Sequence, residues 1–352
     1  MKKFFHYTIM FLLTGIICFL FFVAFAYITV KDTDPDRKIT INPQKLYYVL
    51  DEDLGYRALP GTFEVKIEVK ESSIPKIYSL NIDEEGHRFT SKSNTDNINK
   101  PEIWIFGCSF TWGQGLSDHE TYPYLVQSNL QDYKVTNFGE NGYGNHHALV
   151  EIEKSLIKLN KTPPKAIVVS YIEWHEDRNT AEAYYVSALE DFQHFKKGVI
   201  RKAFERIIFT FVRLFKISSN FISYRFKYPV AELDKNDNLS VYTIPLVAFF
   251  EPIKSIDYRI KVTQKIFLRI LEIANSKKIP VIILHQWSTP PDYKKDPMIE
   301  FFKTSGFHYV DAYVDYSKNE NNMNPYDGHP NPESNKVYAK ALLKKLNELK
   351  FK

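Results

Sequence analysis

Ile103-Trp104-Ile105-Phe106-Gly107-Cys108-Ser109-Phe110-Thr111-Trp112-Gly113 is an apolar run that breaks at a glycine and then presents a serine. A short apolar run bounded by a turn signal reads as a strand buried on both faces. Open α/β sheets bind their ligands beyond the carboxyl ends of such strands, which is where Ser109 falls. Gly107 permits a sharp bend that leaves the hydroxyl accessible, and a backbone N–H at the turn is free to face a developing oxyanion. A Gly-x-Ser tripeptide taken alone is usually only a turn, so its neighbours have to decide its meaning.

Outward from this stretch the chain alternates. Further apolar runs occur at 135–138, 166–171, 281–284 and 309–312, with helical patterns at 122–130, 147–159 and 258–276 between them. Strands alternating with helices predict an α/β domain with a parallel sheet covered on both faces. Asn331-Pro332 makes a helix start, an N-cap followed by proline in the first turn, and Val337, Ala341, Leu342, Leu346 and Leu349 continue it as an amphipathic helix. Residues 180–250 exceed what a crossover requires and read as a helical insertion. Within it, 196–227 holds nine Lys/Arg against the single acidic Glu205, with Phe and Ile at helical spacing. Such a helix either packs on the core or lies in a membrane interface.

On the N-terminal side, Phe63-Glu64-Val65-Lys66-Ile67-Glu68-Val69-Lys70 alternates with period two, so 45–98 reads as a small β-rich preface. Residues 31–44, with Asp32, Asp34, Pro35 and Asp36, read as a linker. Ahead of them 24 positions, 7–30, carry no charge and follow Lys2 and Lys3. As a helix this run is about 36 Å long, enough for a hydrocarbon core of about 30 Å. It also exceeds the apolar stretch of a cleaved signal, although Ala24-Phe25-Ala26 resembles a cleavage site. The expectation is a single-pass membrane anchor over 1–30, with the domain outside the cytoplasm.

A second chemical signal comes more than 200 residues after the first, in Tyr326-Asp327-Gly328-His329-Pro330-Asn331. A serine hydroxyl becomes a competent nucleophile when an imidazole takes its proton and a carboxylate orients that imidazole. Two residues apart on extended backbone, Asp327 and His329 project to one side, with Gly328 free to adjust between them. Ser109, His329 and Asp327 are therefore the candidate triad.

Three segments together resemble the SGNH/GDSL hydrolases: Gly107-Cys108-Ser109-Phe110-Thr111, Asn137-Phe138-Gly139-Glu140-Asn141-Gly142, and Asp327-Gly328-His329-Pro330. The resemblance covers roughly 100–350 without the insertion. It implies a flavodoxin-like sheet over 99–352, ester hydrolysis or acyl transfer, Ser109 as nucleophile, His329 as base and Asp327 as its orienter. It also implies an oxyanion hole from the N–H groups of Ser109 and Gly142, with a third donor after the third strand. Here the chain departs from the pattern: His175 stands where an asparagine is usual, with Asn179 as the substitute. Cys108 replaces an aspartate, and one residue rather than two separates Asp327 from His329.

Other classes fall away. A net charge of +4 on 352 residues, without a basic reading motif, gives no reason to expect a nucleic-acid partner. His146-His147 lacks acidic or thiol companions at metal spacing, so neither metal nor cofactor is expected. Two cysteines, Cys18 and Cys108, build no disulfide framework. The expectation is a membrane-anchored serine esterase acting on an acylated small molecule or glycan. An O-acyltransferase using the same triad and a non-catalytic glycan-binding protein remain the alternatives.

Overall fold

A computed structural model describes residues 37–43, 48–92, 99–182, 220–222, 228–244, 249–251, 254–287, 296–315 and 318–351, with scattered positions between 7 and 21. Among the described residues no helix is long and apolar enough to cross a membrane. The anchor expected over 1–30 lies outside them apart from those scattered positions.

The N-terminal strands are β1 (Arg37–Asn42), the hairpin β2 (Tyr48–Asp51) and β3 (Gly55–Ala58), and the long hairpin β4 (Gly61–Val69) and β5 (Ser72–Ile82). Along β4, Phe63, Val65, Ile67 and Val69 are buried while the residues between them face outward, as their alternation requires. Pairing β1 to β4 corrects the expected linker. Residues 37–42 form an edge strand, because Ile39 and Ile41 continue the period of two behind the polar start and pack against this core.

The main sheet holds β6 (Glu102–Phe106), β7 (Lys134–Asn137) and β8 (Ala166–Tyr171). The described parts of the insertion follow as β9 (Asn220–Ile222), β10 (Tyr228–Leu233), β11 (Leu239–Ile244) and β12 (Phe249–Glu251), paired as β10 with β11 and β9 with β12. These are strands rather than the expected helix. The basic amphipathic helix expected over 196–227 lies outside the described residues, save for β9. Then come β13 (Val281–His285), β14 (His308–Asp311), β15 (Asn322–Met323) and β16 (Asp327–Pro330).

Five parallel strands run in the order β7-β6-β8-β13-β14. Counted along the chain that is 2-1-3-4-5, the flavodoxin-type doubly wound order. Its helices are α1 (Ser109–Trp112), α2 (Tyr122–Asn129), α3 (Asn145–Glu153), α4 (His175–Asn179), α5 (Ile256–Ser276), α6 (Pro297–Thr304) and α7 (Pro332–Glu348). Alternate residues of β6 feed two cores. Trp104 and Phe106 pack with α3, α5 and α6, whereas Ile103 and Ile105 pack with α2 and α7. Covered on both faces, the central strands β6, β8 and β13 have no polar side, which explains their largely apolar character.

Candidate active site

The nucleophile turn follows β6 directly. Gly107 is required there by space: a Cβ would stand 2.0 Å from the Thr111 Oγ1 and 2.8 Å from the Ser170 Cβ. Cys108 caps α1 with extended backbone, and Ser109 opens the helix. The first N–H groups of a helix have no partner inside it, so the Ser109 amide is available to an oxyanion. Cys108 is fully buried among Phe110 and Ile172.

His329 closes on this turn from the other end of the chain. Its Nε2 lies 2.9 Å from the Ser109 Oγ, and its Nδ1 hydrogen-bonds the Asp327 Oδ1. With Nδ1 donating to the carboxylate, Nε2 is left to accept the serine proton. Asp327 and His329 lie on β16, where residues two apart share a face, so the one-residue spacing that departed from the family pattern is what strand geometry needs. The His329 N–H also donates to the Asp327 Oδ1 at 3.1 Å, and the Arg37 Nη2 donates to the Asp327 Oδ2 at 3.0 Å. Burial by itself would raise the Asp327 carboxyl, but His329 and Arg37 outweigh it and hold it well below the ordinary carboxylate range. Gly328 has no positive φ and open space around it, so it serves as a plain strand residue rather than a hinge.

Asn331 and Pro332 then start α7 as expected, the Asn331 side chain accepting from the Ser334 N–H at 3.0 Å. The Phe110 ring stands edge-on to His329 at 5.9 Å and to Trp174 at 5.4 Å, so aromatic rings pack beside the imidazole.

Gly142 takes φ +81°, a left-handed conformation natural to glycine. Its loop is held against the nucleophile turn, with Glu140 N–H donating to the Gly107 carbonyl at 3.2 Å. A Cβ on Gly139 would meet the Thr111 Cβ at 2.6 Å. From outside, the Tyr56 hydroxyl donates to the Asn141 carbonyl, the Asn141 Nδ2 donates to the Tyr48 hydroxyl, and the Tyr228 hydroxyl donates to the Gly142 carbonyl.

His175 begins α4 and is fully buried, and neither ring nitrogen meets a hydrogen-bonding partner among the described residues. Burial first, then Arg178, His146 and His285, hold it far below the ordinary imidazole range, so it is neutral with one N–H to donate. It makes no pair with Glu176, whose carboxylate takes the Tyr171 hydroxyl at 2.6 Å. Asn179 does not fit as a substitute donor. Its Nδ2 is committed to the Thr263 Oγ1 at 2.9 Å, and its Oδ1 accepts from the His146 N–H at 3.2 Å. His146 and His147 serve packing: His147 accepts from the Gly144 N–H and stacks on Tyr143 at 4.0 Å.

Sequence reading missed the braces. Arg88 is buried and donates to Asp118 at 2.7 Å, to the carbonyls of Trp112 at 2.9 Å and Gly113 at 2.7 Å, and to that of Leu116. It thereby secures the loop that leaves α1. Glu140, buried beside the Gly142 loop, has its carboxyl pushed up to about 8 by burial. A cavity of about 240 Å³ lies behind Gly107 and Gly139, lined by Phe106, Phe138, Glu140, Tyr143 and His147; Ser109 and His329 do not line it. Among the described residues no group of three or more His, Cys, Asp or Glu is placed to hold a metal ion.

No family model and no curated protein matches this chain. Among solved structures it is similar to a G-D-S-L lipolytic protein of Veillonella parvula, at 13% identity, TM-score 0.35, with 69% of this chain and 96% of that one covered. A putative G-D-S-L lipolytic protein of Desulfitobacterium hafniense gives 11% identity, TM-score 0.36 and coverages of 70% and 100%. A catalytic mutant of an acetylxylan esterase of Geobacillus stearothermophilus gives 12%, 0.33, 71% and 96%. Likenesses of this size carry no weight for the chemistry, which rests on the side chains described above.

Proposed function

We propose that the chain is a serine ester hydrolase of the SGNH/GDSL type, membrane-anchored through 1–30, with its site outside the cytoplasm and O-acetylated carbohydrate as its substrate class. The observation that carries the reading is the continuous line Ser109 Oγ, His329 Nε2, His329 Nδ1, Asp327 Oδ1, assembled from residues 220 apart in the chain. Location and substrate class rest on the uncharged run 7–30 and on the motifs resembling the family.

His329 takes the Ser109 hydroxyl proton on Nε2 as Oγ bonds to the ester carbonyl carbon. Asp327 steadies the imidazolium through Nδ1. Negative charge on the former carbonyl oxygen is met by the N–H groups of Ser109 and Gly142 and by the neutral ring of His175. Collapse breaks the bond to the leaving alcohol, which receives the proton from His329. Water then loses a proton to His329, attacks the acyl-enzyme, and releases the acid and the serine.

The test uses the full-length chain in mild detergent, wild type and Ser109→Ala, with chromogenic esters of several chain lengths, an O-acetylated polysaccharide and diisopropyl fluorophosphate. Hydrolysis and phosphorylation by wild type alone are expected. A folded wild type inert to all of them ends the reading. Labelling without hydrolysis of any ester replaces hydrolysis by acyl transfer to a hydroxyl acceptor.

A further inference from the structure

Asp327 is held from two sides, and only one belongs to the triad. Its side chain is 5% exposed, and a carboxylate that deeply buried needs partners on both oxygens. His329 occupies Oδ1 twice, through Nδ1 and through its backbone N–H. Among the described residues Arg37 is the partner of Oδ2, at 3.0 Å, and it is 290 residues away in sequence. Arg37 opens β1 and lies opposite Val69 at the end of β4, which in turn lies opposite Ser72 at the start of β5. That same corner of the sheet grips the preceding residue. The Tyr326 hydroxyl donates to the Ile74 carbonyl at 2.7 Å and bonds the Ser72 Oγ at 2.7 Å. Two strands of that sheet, β1 and β5, thus clamp Tyr326 and Asp327, consecutive residues at the entry to β16.

The geometry points to Arg37 as a positioning residue of the active site, with the N-terminal β-sheet completing the triad by locking Asp327 through Arg37 and the start of β16 through Tyr326. This rests on the triad reading given above. Arg37 touches neither Ser109 nor the reacting atoms; it acts through Asp327. Fixing Oδ2 stops the carboxylate from rotating, so Oδ1 stays aimed at the imidazole, and misplacement of a catalytic group by about 1 Å costs on the order of a hundredfold in rate. Arg37 also meets the Asp327 charge through Oδ2, while the His329 imidazole meets it through Oδ1.

The test follows ester hydrolysis and the rate at which diisopropyl fluorophosphate labels Ser109 in the full-length wild type, Arg37→Ala, Arg37→Lys and Tyr326→Phe. Arg37→Ala is expected to lower kcat by about tenfold or more at little-changed KM and to slow labelling in proportion. Its acid limb moves to higher pH, since the Asp327 charge is then shared with the imidazole alone; a merely structural arginine leaves that limb in place. Arg37→Lys, which keeps a cation and one donor, recovers most of the loss. Should Arg37→Ala fail to fold, Tyr326→Phe keeps the ring and loses both bonds, and slower labelling is expected there. A folded Arg37→Ala or Tyr326→Phe that labels at the wild-type rate overturns the clamp and leaves the triad standing. A wild type that neither hydrolyses nor labels removes the triad reading itself, and the clamp with it.

Discussion

The Tyr56 hydroxyl donates to the carbonyl of Asn141 at 2.5 Å, so the β2–β3 hairpin holds the residue immediately before Gly142. The amide proposed to face the oxyanion is therefore positioned by a side chain that never meets the substrate. Tyr56→Phe leaves the Asn141 carbonyl buried without that donor, at a cost of about 1–3 kcal/mol. Lower thermal stability is expected together with a reduced kcat. A variant with lowered stability and unaltered kcat would show that the loop keeps its place unaided.

Two glycines separate requirement from accident. At Gly107 a methyl group meets Thr111 and Ser170 below 3 Å, whereas at Gly328 it meets nothing within 4 Å. Gly107→Ala is expected to displace the nucleophile turn and abolish activity. Gly328→Ala, on ordinary strand backbone beside the base, is expected to retain it, because a Cβ fits there and the chain needs no positive φ. Loss of activity in Gly328→Ala would mean that β16 must flex during turnover.

Arg88 binds Asp118 and three backbone carbonyls in a buried site. Arg88→Met approximates its volume and removes every donor of the guanidinium, leaving the Asp118 Oδ1 without its partner while Asn81 still serves Oδ2. Unfolding in urea should show a loss of about 3 kcal/mol or more. A smaller loss would place the loop's stability in its apolar packing.

Glu140 has a pH signature with a definite sign. Its folded pKa of about 8 lies above the ordinary 4.5, so the folded state holds a proton that the unfolded chain gives up. Its contribution to stability is complete below the unfolded value and is lost as pH rises through the folded one. The thermal midpoint of wild type should therefore decline on alkalinisation through neutrality and beyond, and Glu140→Gln should flatten that decline. An equal slope in both proteins would assign it to other groups.

His175→Ala tests the proposed third oxyanion donor. Removing one such donor typically costs on the order of a hundredfold to a thousandfold in kcat. His175→Asn, which restores a neutral N–H donor of similar reach, is expected to recover part of it. Wild-type kcat in His175→Ala would reduce the hole to the two backbone amides.

Local signals carried much of this protein into view. The parallel sheet is legible because its central strands, covered on both faces, have no polar side, and the runs at 103–106, 135–138, 166–171, 281–284 and 309–312 lie within one residue of the observed β6, β7, β8, β13 and β14. Ser109, His329 and Asp327 stood out because each belongs to a short motif whose spacing expresses backbone geometry. From sequence β1 reads as linker because Pro35 and its neighbouring aspartates mask the alternation that begins at Lys38. The described strands of the insertion follow the helically spaced residues 200–215, whose pattern sets the expectation for the whole segment.

What the sequence by itself determined was the order of the five parallel strands and the candidate residues Ser109, His329 and Asp327, since period, turn chemistry and motif spacing all act within a few residues. Only the tertiary structure decided how those groups are held. Arg37 on Asp327, Tyr56 on Asn141 and Arg88 on the carbonyls after α1 join residues distant along the chain. No spacing rule marks such pairs, because each partner would be equally at home elsewhere; they exist because packing the N-terminal segment against the α/β domain brings them together.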